Sequence, residues 1–175
     1  MPNSSIRLAA GALLIACLAP SIPGGTPWAR FSSNAWAQST ALPKKGFVDN
    51  IDRLTLANQD YRRVFYTGQH LQLVLMSLKP GEEIGAEAHR SGDQFFRVEA
   101  GEGEIVINGV KHHVSAGFAM IVPAGARHNV RNTGTKPLKL YTLYAPPEHR
   151  RDVEQRTKAD AEREHEHFDG NTSEE

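Results

Sequence analysis

Between residues 61 and 147 the chain consists of short apolar runs separated by turn-forming residues at regular spacing, with no helical pattern between them. The runs are rich in β-branched and large apolar side chains, which favour strands. Asn108-Gly109 separates two of the runs and is a strong signal for a two-residue hairpin. The pattern predicts an all-β barrel or sandwich, since closure of a sheet removes exposed edges. The predicted strands cover residues 63–67, 70–78, 94–99, 104–108, 110–114, 118–122, 127–131 and 138–144.

Two glycine-bounded segments in this region carry metal-capable side chains. In the first, Gly81 is followed by Glu87, His89, Gln94 and finally Gly101. Side chains two apart on an extended segment share a face, so Glu87 and His89 can point the same way. Gln94 opens the next apolar run, directly after a turn-like stretch.

The second segment has the order Gly117, Pro123-x-Gly125, His128 and Asn132. His128 follows the Pro-Ala-Gly turn at the start of a predicted strand. Neutral imidazole is a common ligand of first-row transition metals. If the strands curl into a small barrel, His128 can meet the ligands of the first segment at one ion.

These spacings resemble the two motifs of the cupin superfamily. The family pattern begins His-x-His and continues after three or four residues with Glu; here Glu87 stands at the first His and Gln94 at the Glu. Asp93 fits the shorter of the two spacings and remains the alternative to Gln94. The resemblance implies a cupin barrel, a double-stranded β-helix or jelly roll, over residues 61–147.

The resemblance also implies one divalent transition metal held by Glu87, His89, Gln94 and His128. This set contains oxygen and nitrogen donors and no sulfur, which suits Fe, Mn, Ni, Zn or Cu. Four protein ligands leave one or two positions for water or substrate. His112 and His113 are adjacent on a predicted strand and are expected at the surface.

By resemblance, the chain is grouped with small single-domain bacterial cupins of the mannose-6-phosphate isomerase-like type, a label that describes the fold. The expected function is that of a metal-dependent enzyme acting on a small oxygen-rich molecule, of isomerase or dioxygenase type. Glu87 would be a catalytic general base if it is not a ligand. The alternative is a non-catalytic module that binds a metal or a small ligand such as a sugar, which the neutral Gln94 favours.

Residues 1–37 differ from the rest, because they contain no Asp or Glu. Their apolar run at 8–18 is shorter than the about 20 residues that span a bilayer and is typical of a secretory signal. Ala35-Trp36-Ala37 predicts cleavage before Gln38 and export to the periplasm or the medium. Cys17, the one cysteine, lies in a lipobox-like sequence, so a lipid anchor there is the alternative.

The remaining segments flank the barrel. Residues 38–60 are expected to form an N-terminal arm, which in cupins often pairs with a second subunit, so the resemblance implies a homodimer. Residues 148–175 are expected to form a polar helix, with helix-forming composition at 151–166, and a disordered tail from 169 onward. Equal numbers of basic and acidic residues, 20 each, argue against a nucleic-acid partner and leave a small molecule as the expected one.

Overall fold

The structure is a computed structural model that describes residues 46–174. The predicted signal peptide, both processing sites and residues 38–45 of the arm lie outside the described residues. Within the described part of the chain, no helix is long and apolar enough to cross a membrane.

The described residues form nine strands and two short helices, and every strand pair is antiparallel. The strands are β1 Arg62–Thr67, β2 Gln72–Leu78, β3 Asp93–Ala100, β4 Glu102–Ile107, β5 Val110–Ser115, β6 Ala119–Val122, β7 His128–Asn132, β8 Leu138–Ala145 and β9 Glu154–Gln155. The helices are α1 Ile51–Ala57 and α2 Lys158–Arg163.

The strands make two sheets that face each other. One sheet has six strands in the order β6-β3-β8-β2-β1-β9, and the other has three in the order β5-β4-β7. All eight strands predicted from the sequence are present, and the predicted all-β architecture with a short C-terminal helix is confirmed. Strand β9 was not predicted, because a two-residue strand is too short to show an alternating pattern.

The core lies between the two sheets; β3 and β7 contribute alternate residues to it, whereas all seven residues of β2 are buried. Phe96 and Val98 of β3, Val130 of β7 and Leu140 of β8 are all fully buried. Arg97, between Phe96 and Val98 on β3, points to the outer side, where its side chain is 38% exposed.

Two turns show why the glycines are needed. At the β4–β5 hairpin, Asn108 has a φ of 47° and Gly109 a φ of 83°, the left-handed conformations that a tight two-residue turn requires. Gly101 has a φ of +87°, and a Cβ there would lie 2.6 Å from the carbonyl oxygen of Pro137. A larger residue at position 101 would push the β3–β4 turn away from the start of β8.

The segment after β8 contains a shorter helix than its composition predicts. The expected helix at 151–166 is restricted to Lys158–Arg163, because residues 154–155 pair with β1 instead. The side chain of Thr157 caps the helix, accepting from the backbone N–H of Asp160, while the Asp160 carboxylate accepts from the N–H of Thr157. This reciprocal pair fixes where the helix begins.

The expectation of a disordered tail is wrong for the described residues, because the chain beyond α2 packs along the barrel. The N–H of Ser173 donates to the carbonyl of Thr67, and the N–H of Phe168 donates to the carbonyl of Glu148. Glu166 accepts from His149 Nδ1 at 2.7 Å, and both side chains are nearly buried. Polar contacts with the barrel thus hold a segment whose sequence has no apolar stripe.

The buried pair formed by Glu166 and His149 gives the tail a pH-dependent contribution to stability. Burial raises the pKa of Glu166, but the interaction with His149 outweighs burial and lowers it below the usual 4.5. A carboxyl group with a depressed pKa in the folded state stabilises the fold fully above about pH 4.5, and this stabilisation is lost as the pH falls below that value. We expect Glu166→Gln to lower the free energy of unfolding by about 2 kcal/mol at pH 7.

Denaturant unfolding at pH 7 and at pH 3 measures this effect. The difference between Glu166→Gln and the unmodified chain should shrink at pH 3, where Glu166 no longer contributes its charge. Glu162→Gln is the matched control, since this glutamate is 66% exposed and should change stability by less than about 0.5 kcal/mol. Equal stability of the Glu166→Gln chain at pH 7 would show that the tail does not stabilise the barrel.

Candidate metal centre

Backbone hydrogen bonds join the two glycine-bounded segments. The N–H of Glu87 donates to the carbonyl of His128 at 2.9 Å, and the N–H of His128 donates to the carbonyl of Glu87, also at 2.9 Å. One step further, the N–H of Gly125 donates to the carbonyl of His89 at 2.8 Å. The Pro-Ala-Gly turn and the Glu-Ala-His segment are therefore fixed against each other by the main chain.

This pairing brings three metal-capable side chains together. Glu87 Oε1 lies 3.3 Å from His89 Nε2 and 3.4 Å from His128 Nε2. The three donor atoms all lie within 4.8 Å of one another. The side chains of Glu87 and His89 are 28% and 13% exposed, whereas that of His128 is fully buried. The cluster can hold one metal ion with a buried floor and a side that opens toward solvent.

The charges of the cluster depend on one another. Burial raises the pKa of Glu87, but the neighbouring imidazoles of His128 and His89 outweigh burial and lower it to about 2. Burial likewise lowers the pKa of His89, but Glu148 and Glu87 on either side raise it to about 9. Glu87 is therefore an anion at neutral pH, which is the state in which a carboxylate binds a cation.

His128 is oriented as a ligand by its second ring nitrogen. Nδ1 lies 3.0 Å from the carbonyl oxygen of Ala126, and a carbonyl can only accept, so Nδ1 carries the proton. In the neutral form of the ring, Nε2 is the atom whose lone pair can bind a metal. This atom is buried and makes no hydrogen bond within the described residues. A buried acceptor without a donor is costly, and a cation at this position would satisfy it.

Gln94 presents a second buried acceptor in the same region. Its Nε2 donates to Thr142 Oγ1 at 3.1 Å, which leaves Oε1 buried without a hydrogen-bond partner. Tyr144, directly across the sheet from Gln94, packs edge-on against His89 with ring centroids 5.3 Å apart. Phe96, the next inward residue of β3, packs against His128 at 6.0 Å. Gln94 therefore lies beside the cluster with its oxygen unused.

The alternative ligand Asp93 and the histidines His112, His113 and His167 are not part of the cluster of Glu87, His89 and His128. Asp93 is exposed, and its Oδ1 accepts from the N–H of Ala124 at 2.9 Å. Asp93 thus stabilises the turn before β7 from the protein surface. His112 and His113 on β5 are exposed, as expected for surface residues, and the side chain of His167 in the tail is 82% exposed.

Two residues at this centre were not identified from the sequence. Glu148 follows the diproline that ends β8, and its Oε2 lies 3.4 Å from His89 Nδ1. Tyr144 contacts the rings of both His89 and His149, and burial raises the pKa of its phenol, which stays protonated. The alternation of inward and outward side chains along β8 could have indicated that Tyr144 points into the barrel. No periodic pattern could have indicated Glu148, because it lies outside the strands.

Comparison with known proteins agrees with this architecture. The family model of the cupin domain matches residues 74–144. YrkC of Bacillus subtilis, an uncharacterised protein, is 47% identical over 123 residues, which is 67% of this chain and 66% of the relative. The crystal structure of BH2720 from Bacillus halodurans has 44% identity and a TM-score of 0.68, and the match covers 70% of this chain and 97% of that one. This chain belongs to the cupin superfamily.

The mimivirus protein L612, also uncharacterised, is 44% identical over 108 residues, which is 59% of this cupin and 67% of the relative. This cupin thus spans about two thirds of the length of the curated relatives YrkC and L612. The resemblance read from the motif residues is confirmed at the level of the family and the fold. YrkC and L612 are both uncharacterised, so the function of this cupin must be argued from the site.

The assignment of Gln94 over Asp93 can be tested by substitution. Gln94→Ala removes a neutral donor and should weaken binding of a divalent metal by about ten- to a hundredfold. Gln94→Glu adds a negative charge and should tighten binding, since the Thr142 hydroxyl can rotate to donate to the new carboxylate. Elemental analysis after equilibration with Mn(II) or Zn(II) measures both effects.

Asp93→Ala is the matched control and should leave the metal content unchanged. Loss of metal in Asp93→Ala, with full occupancy in Gln94→Ala, would show that the ligand assignment is wrong by one residue.

Proposed function

We propose that this cupin holds one divalent transition metal through Glu87, His89, Gln94 and His128. We further propose that it acts as a metal-dependent enzyme on a small oxygen-rich molecule, by isomerisation or dioxygenation. One observation carries the metal site. Two buried atoms, His128 Nε2 and Gln94 Oε1, have no hydrogen-bond partner among the described residues, and the first of them lies within 4.8 Å of the donor atoms of Glu87 and His89.

The donor set fits a metal of borderline character. Two imidazoles, one carboxylate and one amide oxygen, without sulfur, suit Fe(II), Mn(II), Ni(II), Zn(II) or Cu(II). A bound ion of this kind supplies Lewis acidity or a site for O₂. The more buried donors lie on the barrel side, and the exposed edges of Glu87 and His89 leave the opposite side open. A small ligand would therefore arrive past these two side chains.

The surrounding side chains support catalysis in distinct ways. Tyr144 stays neutral and packs against His89, so it limits rotation of that ring. If Glu87 is released from the metal when a ligand binds, its carboxylate is ionised and within reach of the ligand, although its low pKa makes it a weak general base. Phe96 closes the floor against water, since its side chain is fully buried.

Metal content is the first test of the proposal. The purified protein should retain one equivalent of a divalent metal, and His89→Ala and His128→Ala should each lose most of it, because the three remaining donors include only one imidazole and a weak, neutral amide. His112→Ala is the matched control and should keep full occupancy, since that histidine is exposed on β5. Full occupancy in both ligand variants would exclude this metal site.

The alternative is a non-catalytic binding module for a metal or a small ligand. Two observations favour it. Gln94 places a neutral donor where the family pattern has a carboxylate, and the barrel interior beyond the site is filled by fully buried side chains such as Phe96, Val98 and Leu140. A metal ion whose coordination positions are all filled by protein ligands would serve a structural or storage role.

Water exchange separates the two functions. In the Mn(II)-loaded protein, an open position should enhance the relaxation rate of water protons, and small sugars or hydroxy acids should reduce that enhancement as they bind. A screen of the same compounds for isomerised products and for O₂ consumption then identifies turnover. A Mn(II)-loaded protein with no water enhancement and no turnover would favour the binding module.

We also propose that the protein is exported. The acid-free residues 1–37 and the Ala35-Trp36-Ala37 site support cleavage before Gln38. Mass spectrometry of the chain expressed in a Gram-negative host should give a mature form that begins at Gln38. A lipidated Cys17 would replace this with the anchored form, and a chain that retains Met1 in the soluble fraction would exclude export.

A further inference from the structure

The ring of His89 lies between two carboxylates. Its Nε2 faces Glu87 Oε1 at 3.3 Å, inside the candidate metal centre. Its Nδ1 faces Glu148 Oε2 at 3.4 Å, on the side away from His128. If Nε2 is the metal ligand it carries the lone pair, so the proton of the neutral ring must lie on Nδ1 and needs an acceptor there. Among the described residues, the structure pairs Nδ1 with Glu148.

The backbone around Glu148 is fixed from the barrel interior. Gln72 on β2 is fully buried, and its Oε1 accepts from the N–H groups of Glu148 and His149 at 3.3 and 3.0 Å. The Nε2 of Gln72 donates to the carbonyl of His149 at 2.7 Å. The buried amide of Gln72 thus fixes the backbone of residues 148 and 149 in one orientation, and this backbone bears the Glu148 carboxylate.

The docked tail secures the same residues from the outside. The N–H of Phe168 donates to the carbonyl of Glu148 at 2.8 Å, and Glu166 binds both His149 Nδ1 and the N–H of Arg150. Glu148 is therefore held by β2 on one side and by the tail on the other. Its side chain remains 33% exposed and reaches His89 from a fixed base.

We propose that Glu148 is the positioning residue of His89, accepting the Nδ1 proton so that Nε2 is held toward the metal. The proposal rests on the metal site proposed above. At 3.4 Å the contact is longer than a strong hydrogen bond, and a small rotation of the His89 ring toward Glu148 would shorten it. A carboxylate behind a ligating histidine fixes the tautomer and increases the basicity of the ring, and its loss typically weakens metal binding by about 10- to 100-fold.

The two histidines thus have different partners behind them. His128 donates to a neutral main-chain carbonyl, that of Ala126, whereas His89 donates to an anion. His89 is accordingly the stronger donor of the pair. Because Glu148 belongs to the segment after the last barrel strand, the tail contributes to the strength of the metal centre without contacting the metal.

Substitution of Glu148 tests the inference. We expect Glu148→Ala to weaken Zn(II) binding by about 10- to 100-fold, and Glu148→Gln to have a smaller effect, because an amide oxygen still accepts the proton but carries no charge. Glu154→Gln is the matched control for loss of one negative charge, since this residue lies exposed on β9 and should bind Zn(II) normally.

Nitrogen NMR of the Zn(II)-loaded protein, labelled at histidine, observes the protonation of His89 Nδ1 directly. A general loss of stability would not change this signal. His89 should show a protonated Nδ1 with a downfield, slowly exchanging proton, and this signal should move upfield or disappear in Glu148→Ala. Glu148→Gln preserves the side-chain shape and reports the effect even if Glu148→Ala unfolds.

Two results would distinguish a failure of the proposed metal site from a failure of the proposed role of Glu148. An unmodified protein that binds none of the divalent metals would overturn the proposed function. An unmodified protein that binds Zn(II), with both Glu148 variants showing the same affinity and the same His89 signals, would overturn the role of Glu148 alone.

Discussion

The reciprocal pair of backbone hydrogen bonds between Glu87 and His128 is the constraint on which the rest of the centre depends. It joins a segment before β3 to the first residue of β7, about forty positions later in the chain. Because main-chain groups make the joint, it does not depend on which ligand side chains are present. The substitution of Glu for the family's first histidine therefore alters the chemistry of the site and leaves its geometry intact.

Most of the barrel could be predicted from the sequence, because strand parity and turn chemistry are local. Asn108-Gly109 specifies its own hairpin, and the inward positions of Phe96 and Val130 follow from a period of two. The cluster of Glu87, His89 and His128 was also accessible, since the family motif records which distant positions converge. The participation of Gln94 as a ligand stays a prediction, supported by its unused oxygen.

The features that the sequence did not reveal share one physical property. The tail is held by individual polar contacts, such as the buried pair of His149 and Glu166, and such pairs leave no periodic signature in the chain. Gln72 reads as one polar residue in an apolar strand, and only the fold shows that its amide binds three backbone groups of residues 148 and 149. Glu148 depends on this clamp, so its proximity to His89 could not be predicted either.

The joint between Glu87 and His128 also has a consequence for how a metal would be acquired. A site whose backbone is already assembled by hydrogen bonds does not require the ion to nucleate folding, unlike small domains that fold only when metal binds. On this physical argument, a metal would enter a barrel that has already folded, through the side bordered by Glu87 and His89. Since a nitrogen and oxygen site of this kind accepts several divalent ions, the ion that it takes would be decided by the supply in the compartment where the folded chain resides.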